Sequence, residues 1–398
     1  IEVYPEKIKK DIEKYGVCIP QTNQYILPYI VDNSENSNYI SDYKEFSYYE
    51  TKKLYGTNNE QLKALTSDNK DIKSYDKIYE LKNEEDYENV AVLTTYRNEI
   101  MNEKYVAFTY ENEDFKYRVF NNEFVEILKY KGAQSNVIIP EYIEGLQVNY
   151  IANNAFIHND SIVNVSIPKS VKEIGNYTFA FCEKLNRVVI NGNVISYGDG
   201  AYEGCRNLKN IVTINSPMYI GKDCFKDTAM LSNMYKSSGV KYFKNVAVLY
   251  EGKNNYVEIK EGTRAVADGF VEKSKHYVHE VNIPVSVKYI GCEAFKGAAN
   301  LKDLELPKGL VYIGEYAFSD CHSLDDVSIP KYITMLNEGV FANCVNLKRI
   351  DFGEGVRVIR NNAFRGIRYM DIINVPSTVK CVFPKAFNED VKVISFSD

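Results

Sequence analysis

The chain has 398 residues, 45% of them hydrophobic and 26% charged, an ordinary globular composition with room for more than one domain. Its formal net charge of −6 argues against a non-specific nucleic-acid binder, which needs a basic face. No apolar run reaches the roughly 18–20 residues that span a bilayer, so a soluble chain without a membrane span is expected.

Residues 1–104 form the first region, polar and rich in Tyr, Asn, Lys and Glu. The chain starts at Ile1 rather than methionine, as removal of a signal peptide would leave it. Between Asn59 and Lys82, the residues Leu62, Leu65, Ile72, Tyr75, Ile78, Tyr79 and Leu81 keep roughly helical spacing. Tyr87, Val90, Leu93, Tyr96 and Ile100 do so between Glu85 and Lys104. The expectation is a small, mainly helical, Tyr-rich domain.

From Tyr105 the pattern turns to strand alternation. Phe115-x-Tyr117-x-Val119, then Asn121-Asn122, then Phe124-x-Glu126-Ile127-Leu128 predicts a hairpin at 105–136, placed to cap a repeat array. That array, residues 137–398, is periodic. Phe156, Phe179, Tyr202 and Phe225, then Phe295, Phe318, Phe341, Phe364 and Phe387, recur every 23 residues within each run. Counting back from each ring, positions −17, −14 and −12 are apolar, as in Leu301/Leu304/Leu306 and Leu324/Val327/Ile329. Proline ends that strand at 168, 284, 307, 330 and 376, and a second apolar pair such as Val287/Ile290 comes after it. Gly175, Gly221, Gly291 and Gly314 come next and predict a turn with positive φ. A fixed period of this length predicts a stack of coils, each burying its apolar face only against its neighbours. The fold class is therefore α+β overall: a leucine-rich-repeat β-solenoid of parallel strands with period 23, behind the helical domain. The register breaks between Phe225 and Phe295, where Val246–Tyr250 and Tyr256–Ile259 predict an irregular hairpin coil at about 234–262.

Cys182, Cys205, Cys321 and Cys344 each lie three residues after a repeat ring. They read either as a ladder of buried thiols or as bridges between adjacent coils; parallel Cβ vectors favour thiols. The four histidines (His158, His276, His279, His322) all lie in the repeats, so residues 1–104 hold no His-based triad of their own. His276-x-x-His279 lacks further ligands for a structural zinc site, and no Gly-rich phosphate loop is present. Neither a metal nor a cofactor is expected. Asn159-Asp160-Ser161, Asn164-Val165-Ser166 and Asn176-Tyr177-Thr178 match the glycosylation pattern, a match that Asn-rich composition accounts for.

Ile283-Pro284-x-x-Val287-x-x-Ile290-Gly291-x-x-Ala294-Phe295 and Phe318-x-x-Cys321-x-x-Leu324-x-x-Val327-x-Ile329-Pro330 resemble the BspA-like, or treponemal-type, leucine-rich repeat. The opening coil, Val137 to Phe156, and the hairpin coil ending in Val248-Leu249-Tyr250 are similar to that family too. The resemblance covers about 290 residues from the start of the hairpin cap. It implies a secreted or surface-attached microbial protein, often an adhesin for host or bacterial surface proteins, and no catalytic residues.

Function is then sought on outward strand positions. At −16, −15 and −13 these are Lys302/Asp303/Glu305, Asp325/Asp326/Ser328 and Lys348/Arg349/Asp351 in the later coils, an acidic and mixed surface. In the earlier coils Val189 and Val212 occupy the −13 position and are expected to be exposed. A solvated sheet face is the plain expectation for such positions; the functional one is a surface for a basic or carbohydrate partner. The resulting expectation is a non-enzymatic extracellular binding protein whose partner is a protein or glycan on a host or bacterial surface. Two alternatives stand beside it: an enzyme with its activity in 1–104 and the solenoid as a targeting module, and a structural surface spacer.

Overall fold

A computed structural model describes residues 107–120, 124–370, 372–379, 381–383, 385–388 and 391–395. The expected helical domain at 1–104 lies outside them. The described chain divides into two compact units, 107–234 and 235–395. Both are β-solenoids with little helix: among the described residues the one α-helix is Ala229–Asn233, capped by the Thr228 hydroxyl accepting from the Leu231 N–H at 3.0 Å.

The first unit opens with an antiparallel meander, Ala107–Glu111, Phe115–Phe120 and Phe124–Tyr130. Its last strand pairs in parallel with Leu146–Ile151, and Glu173–Ile174, Ser196–Tyr197 and Tyr219–Ile220 continue that sheet. A second parallel ladder joins Asn136–Ile138, Asn164–Ile167, Arg187–Ile190 and Asn210–Val212. The second unit opens likewise, with Tyr235–Ser237, Val240–Phe243 and Val246–Tyr250 antiparallel, then Ala265–Val266, Tyr289–Ile290 and Tyr312–Ile313 in parallel. Its other ladder pairs Tyr256–Glu258 with Glu280–Asn282, and Asp326–Ser328 with Arg349–Asp351.

The repeat ring is the centre of each coil. Phe179, Tyr202, Phe295, Phe318, Phe341 and Phe364 are fully buried, and successive rings stack at 5.2–5.5 Å from Phe295 to Phe387, with interplanar angles of 1–12°. Burying one such ring is worth about 2–3 kcal/mol, so no coil is stable without a neighbour. Proline behaves as expected: the carbonyls of Pro284, Pro307 and Pro330 accept the N–H three residues on, closing the turn that ends the strand.

Glycine departs from expectation. Gly175, Gly221, Gly291 and Gly314 do not adopt positive φ. They are required because the preceding coil passes too close: a Cβ on Gly175 would sit 2.6 Å from the Asn153 backbone nitrogen. Positive φ falls instead two residues either side of the ring, at Asn154, His158, Tyr177, Phe181, Gly200 and Gly204 in the first unit. A side chain there costs on the order of 1 kcal/mol. The conformation turns each N–H toward the next coil, where Tyr177 reaches the Asp199 carbonyl at 2.7 Å and Phe181 that of Glu203 at 2.7 Å.

Candidate binding faces

The outward positions of the ladders sit on rigid backbone. In-register pairing places Asp326 beside Arg349 and Ser328 beside Asp351, while a bridge pairs Glu280 with Asp303. Lys302, Asp303, Glu305, Asp326, Lys348, Arg349 and Asp351 are all exposed; Asp325 is half-buried. Arg349 lies 2.6 Å from Asp326, and the Ser328 hydroxyl donates to Asp351 at 3.0 Å, so the carboxylates are not equally free. Glu258 and Glu280, both exposed, extend this acidic surface toward the earlier coils. Simple counting misses Glu258 because the spacing there departs from 23. No carboxylate occupies the equivalent described positions of the first unit.

That first-unit face is built from amides and aliphatics. Val189 is half-buried between Ser166 and Val212, contrary to expectation, because both in-register neighbours crowd it. Val212 is exposed as expected, and Ile138 (76%) and Ile214 (84%) are more so. Arg187 lies between Asn164 and Asn210, and the Asn164 amide donates to Asn136 at 2.7 Å.

The turn regions are structural. Cys182, Cys205, Cys321 and Cys344 are free thiols, each donating to the carbonyl of the ring one coil back, at 3.1, 2.9, 3.4 and 3.3 Å. Burial pushes the Cys182 and Cys344 thiols up to about 12, which suppresses nucleophilic thiolate. Asn153, Asn176 and Asp199 accept, through Oδ1, the backbone N–H of Asn176, Asp199 and Lys222 at 2.8, 2.9 and 2.7 Å. Asn159, Asn164 and Asn176 of the three glycosylation patterns thus all have side chains engaged in the fold. His158 stacks on Phe181, while His276 and His279 are exposed in and after a short 3-10 turn. Among the described residues, no group of three or more His, Cys, Asp or Glu is placed to hold a metal ion. No described helix is long and apolar enough to cross a membrane.

The family profile described as the BspA type leucine-rich repeat region matches residues 128–253 and 268–393 in six copies, more than half of the chain. The chain belongs to the BspA-type leucine-rich-repeat family. No curated protein is detectably similar to it. Solved structures similar to this BspA-type chain include a leucine-rich cell surface protein of Faecalibacterium prausnitzii, 21% identical, with 72% of this chain and 88% of that one covered and a TM-score of 0.33. The leucine-rich repeat protein of T. pallidum is 22% identical over 62% and 86%, TM-score 0.23. The pneumococcal vaccine antigen PcpA is 15% identical over 73% and 99%, TM-score 0.36.

Proposed function

We propose that this BspA-type chain is a non-enzymatic, extracellular binding protein of adhesin type, and that the carboxylate-rich ladder face of its second unit receives a basic segment of a surface protein. The observation that carries this is the set Glu258, Glu280, Asp303 and Glu305: all exposed, the first two on ladder strands, Asp303 in the bridge to Glu280 and Glu305 two residues beyond it, with no cation among the described residues paired to them. Fixed charges on a rigid sheet steer and orient a partner at little entropic cost. Two of the similar structures, one a cell surface protein and one a vaccine antigen, agree with an extracellular setting.

The test measures binding of the full chain to a panel of matrix proteins and glycans at low and high salt. A ligand bound through this face weakens with salt. It also loses about tenfold or more in affinity in the triple variant Glu280→Gln, Asp303→Asn, Glu305→Gln. Unchanged affinity in that triple variant removes this face as the site; turnover of a panel member removes the non-enzymatic reading.

A further inference from the structure

The two units begin with the same element. In the first, Phe115–Phe120 pairs with Phe124–Tyr130; in the second, Val240–Phe243 pairs with Val246–Tyr250. Both hairpins break register at one place, between Lys116 and Tyr117 and between Lys241 and Tyr242. Both end on a tyrosine, Tyr130 or Tyr250, whose ring meets the first repeat ring of its unit: Phe156 at 5.2 Å and Phe270 at 6.4 Å.

The correspondence continues residue by residue. The sequence Tyr-x-Gly-x-x-x-x-Val-x-Ile runs from Tyr130 to Ile139 and again from Tyr250 to Ile259. Gly132 and Gly252 lie against the ring of their own tyrosine, where a Cβ would collide. Each tyrosine hydroxyl bonds the backbone four residues on, accepting from the Gln134 N–H at 3.2 Å or donating to the Asn254 carbonyl at 3.0 Å. Lys131 N–H bonds the Asp114 carbonyl, and Glu251 N–H that of Gly239. The carbonyls of Ser135 and Asn255 each receive two consecutive N–H groups from the next coil, Val163 and Asn164 in one case, His279 and Glu280 in the other.

In the first unit this meander closes the start of the stack: its last strand joins the parallel sheet, and its antiparallel strands cover the first coil. A solenoid needs such a cover only where a core begins. We propose that Tyr235–Tyr250 is a second N-terminal cap, so that residues 235–395 are a self-contained solenoid, folding and presenting its own face independently of 107–234. The chain then carries two binding modules of different chemistry, amides and aliphatics on the first face and carboxylates on the second.

Hydrogen exchange on the full chain tests this, with Phe179→Ala in the first core, Phe318→Ala in the second and Val240→Asp in the second cap. Each variant is expected to raise exchange by about tenfold or more in its own unit and leave the other within about twofold. Exchange rising by more than about twofold in the other unit overturns the proposal. So does a Val240→Asp chain whose second unit stays protected, because the hairpin then covers nothing essential. Val240→Ala provides a milder version where Val240→Asp prevents folding altogether, and is judged by the same thresholds.

Discussion

The ring of Phe181 lies directly on the backbone of Gly204, its counterpart one coil further on. A Cβ at position 204 would enter the ring, and Gly204 also holds a φ of +71°. The same arrangement sets Tyr177 over Gly200 and Tyr316 over Gly339. At these three corners the ring fills the space a Cβ would need 23 residues later, and a glycine stands there; His158 and Phe181 meet the same demand by stacking their rings.

Gly204→Ala is therefore expected to destabilise by about 2–3 kcal/mol, part from backbone strain and part from the displaced ring. In a Phe181→Ala background only the strain remains, about 1 kcal/mol. A double-mutant cycle by denaturant unfolding checks it; additive effects would show that the ring does not select the glycine.

Tyr202 is the one tyrosine in a column otherwise made of phenylalanine, stacked between Phe179 and Phe225. Its hydroxyl is fully buried and has no hydrogen-bond partner among the described residues. Removing an unsatisfied buried hydroxyl while keeping the ring is expected to stabilise by about 1 kcal/mol. A Tyr202→Phe chain with a lower unfolding midpoint would contradict this.

Burial raises the thiol pKa of Cys182, Cys205, Cys224, Cys321 and Cys344. The folded chain then keeps these protons at a pH where the unfolded chain has begun to lose them. Their contribution is intact below the ordinary thiol value of 9.0 and is lost as pH rises, toward about 12 for Cys182 and Cys344. Above pH 9 stability should fall by about 1.4 kcal/mol per pH unit for each thiol ionised only when unfolded. In native conditions at about pH 8, half-exposed Cys292 should label with a thiol reagent well before these five, which mass spectrometry can read site by site.

Two arginines should behave oppositely. Arg360, only 4% exposed, lies 3.0 Å from Glu315 two coils back. Glu315→Gln leaves a buried guanidinium without that carboxylate and is expected to cost about 1–3 kcal/mol, given that Glu315 is itself partly solvated. Arg349 pairs with Asp326 in the open, where Asp326→Asn should cost less than about 1 kcal/mol and less again in high salt. Equal losses in thermal unfolding would refute the distinction.

The apolar framework is readable in the sequence because burial repeats with the period: the rings and Leu301, Leu304, Leu324 and Leu347 are inside as expected. Glycine is harder to read, since one residue type answers two needs. Gly175 serves close approach, while the left-handed turns fall on Tyr177 and Phe181, whose identity gives no such signal. On the faces, column arithmetic finds the exposed Asp303, Glu305, Asp326 and Asp351, but misses Glu258, where the spacing departs from 23, and the crowding of Val189, which depends on both neighbouring strands. The equivalence of the two hairpins shows in the sequence only past their closing tyrosines, in Tyr-x-Gly-x-x-x-x-Val-x-Ile; within the strands it is the hydrogen bonds that correspond.

The stacked rings have one more consequence. Phe318 meets Phe341 at 5.5 Å and Phe341 meets Phe364 at 5.5 Å, in nearly parallel planes. Excising residues 319–341 would hand Phe318 a partner already shaped for it, with Cys344 three residues beyond the ring as Cys321 was, although Tyr316 would then face Asn362 in place of Gly339. Length in such a molecule is a quantity counted in whole coils, and gain or loss of one unit keeps the ring column while the corner pairs, such as Tyr316 with Gly339, must be matched anew.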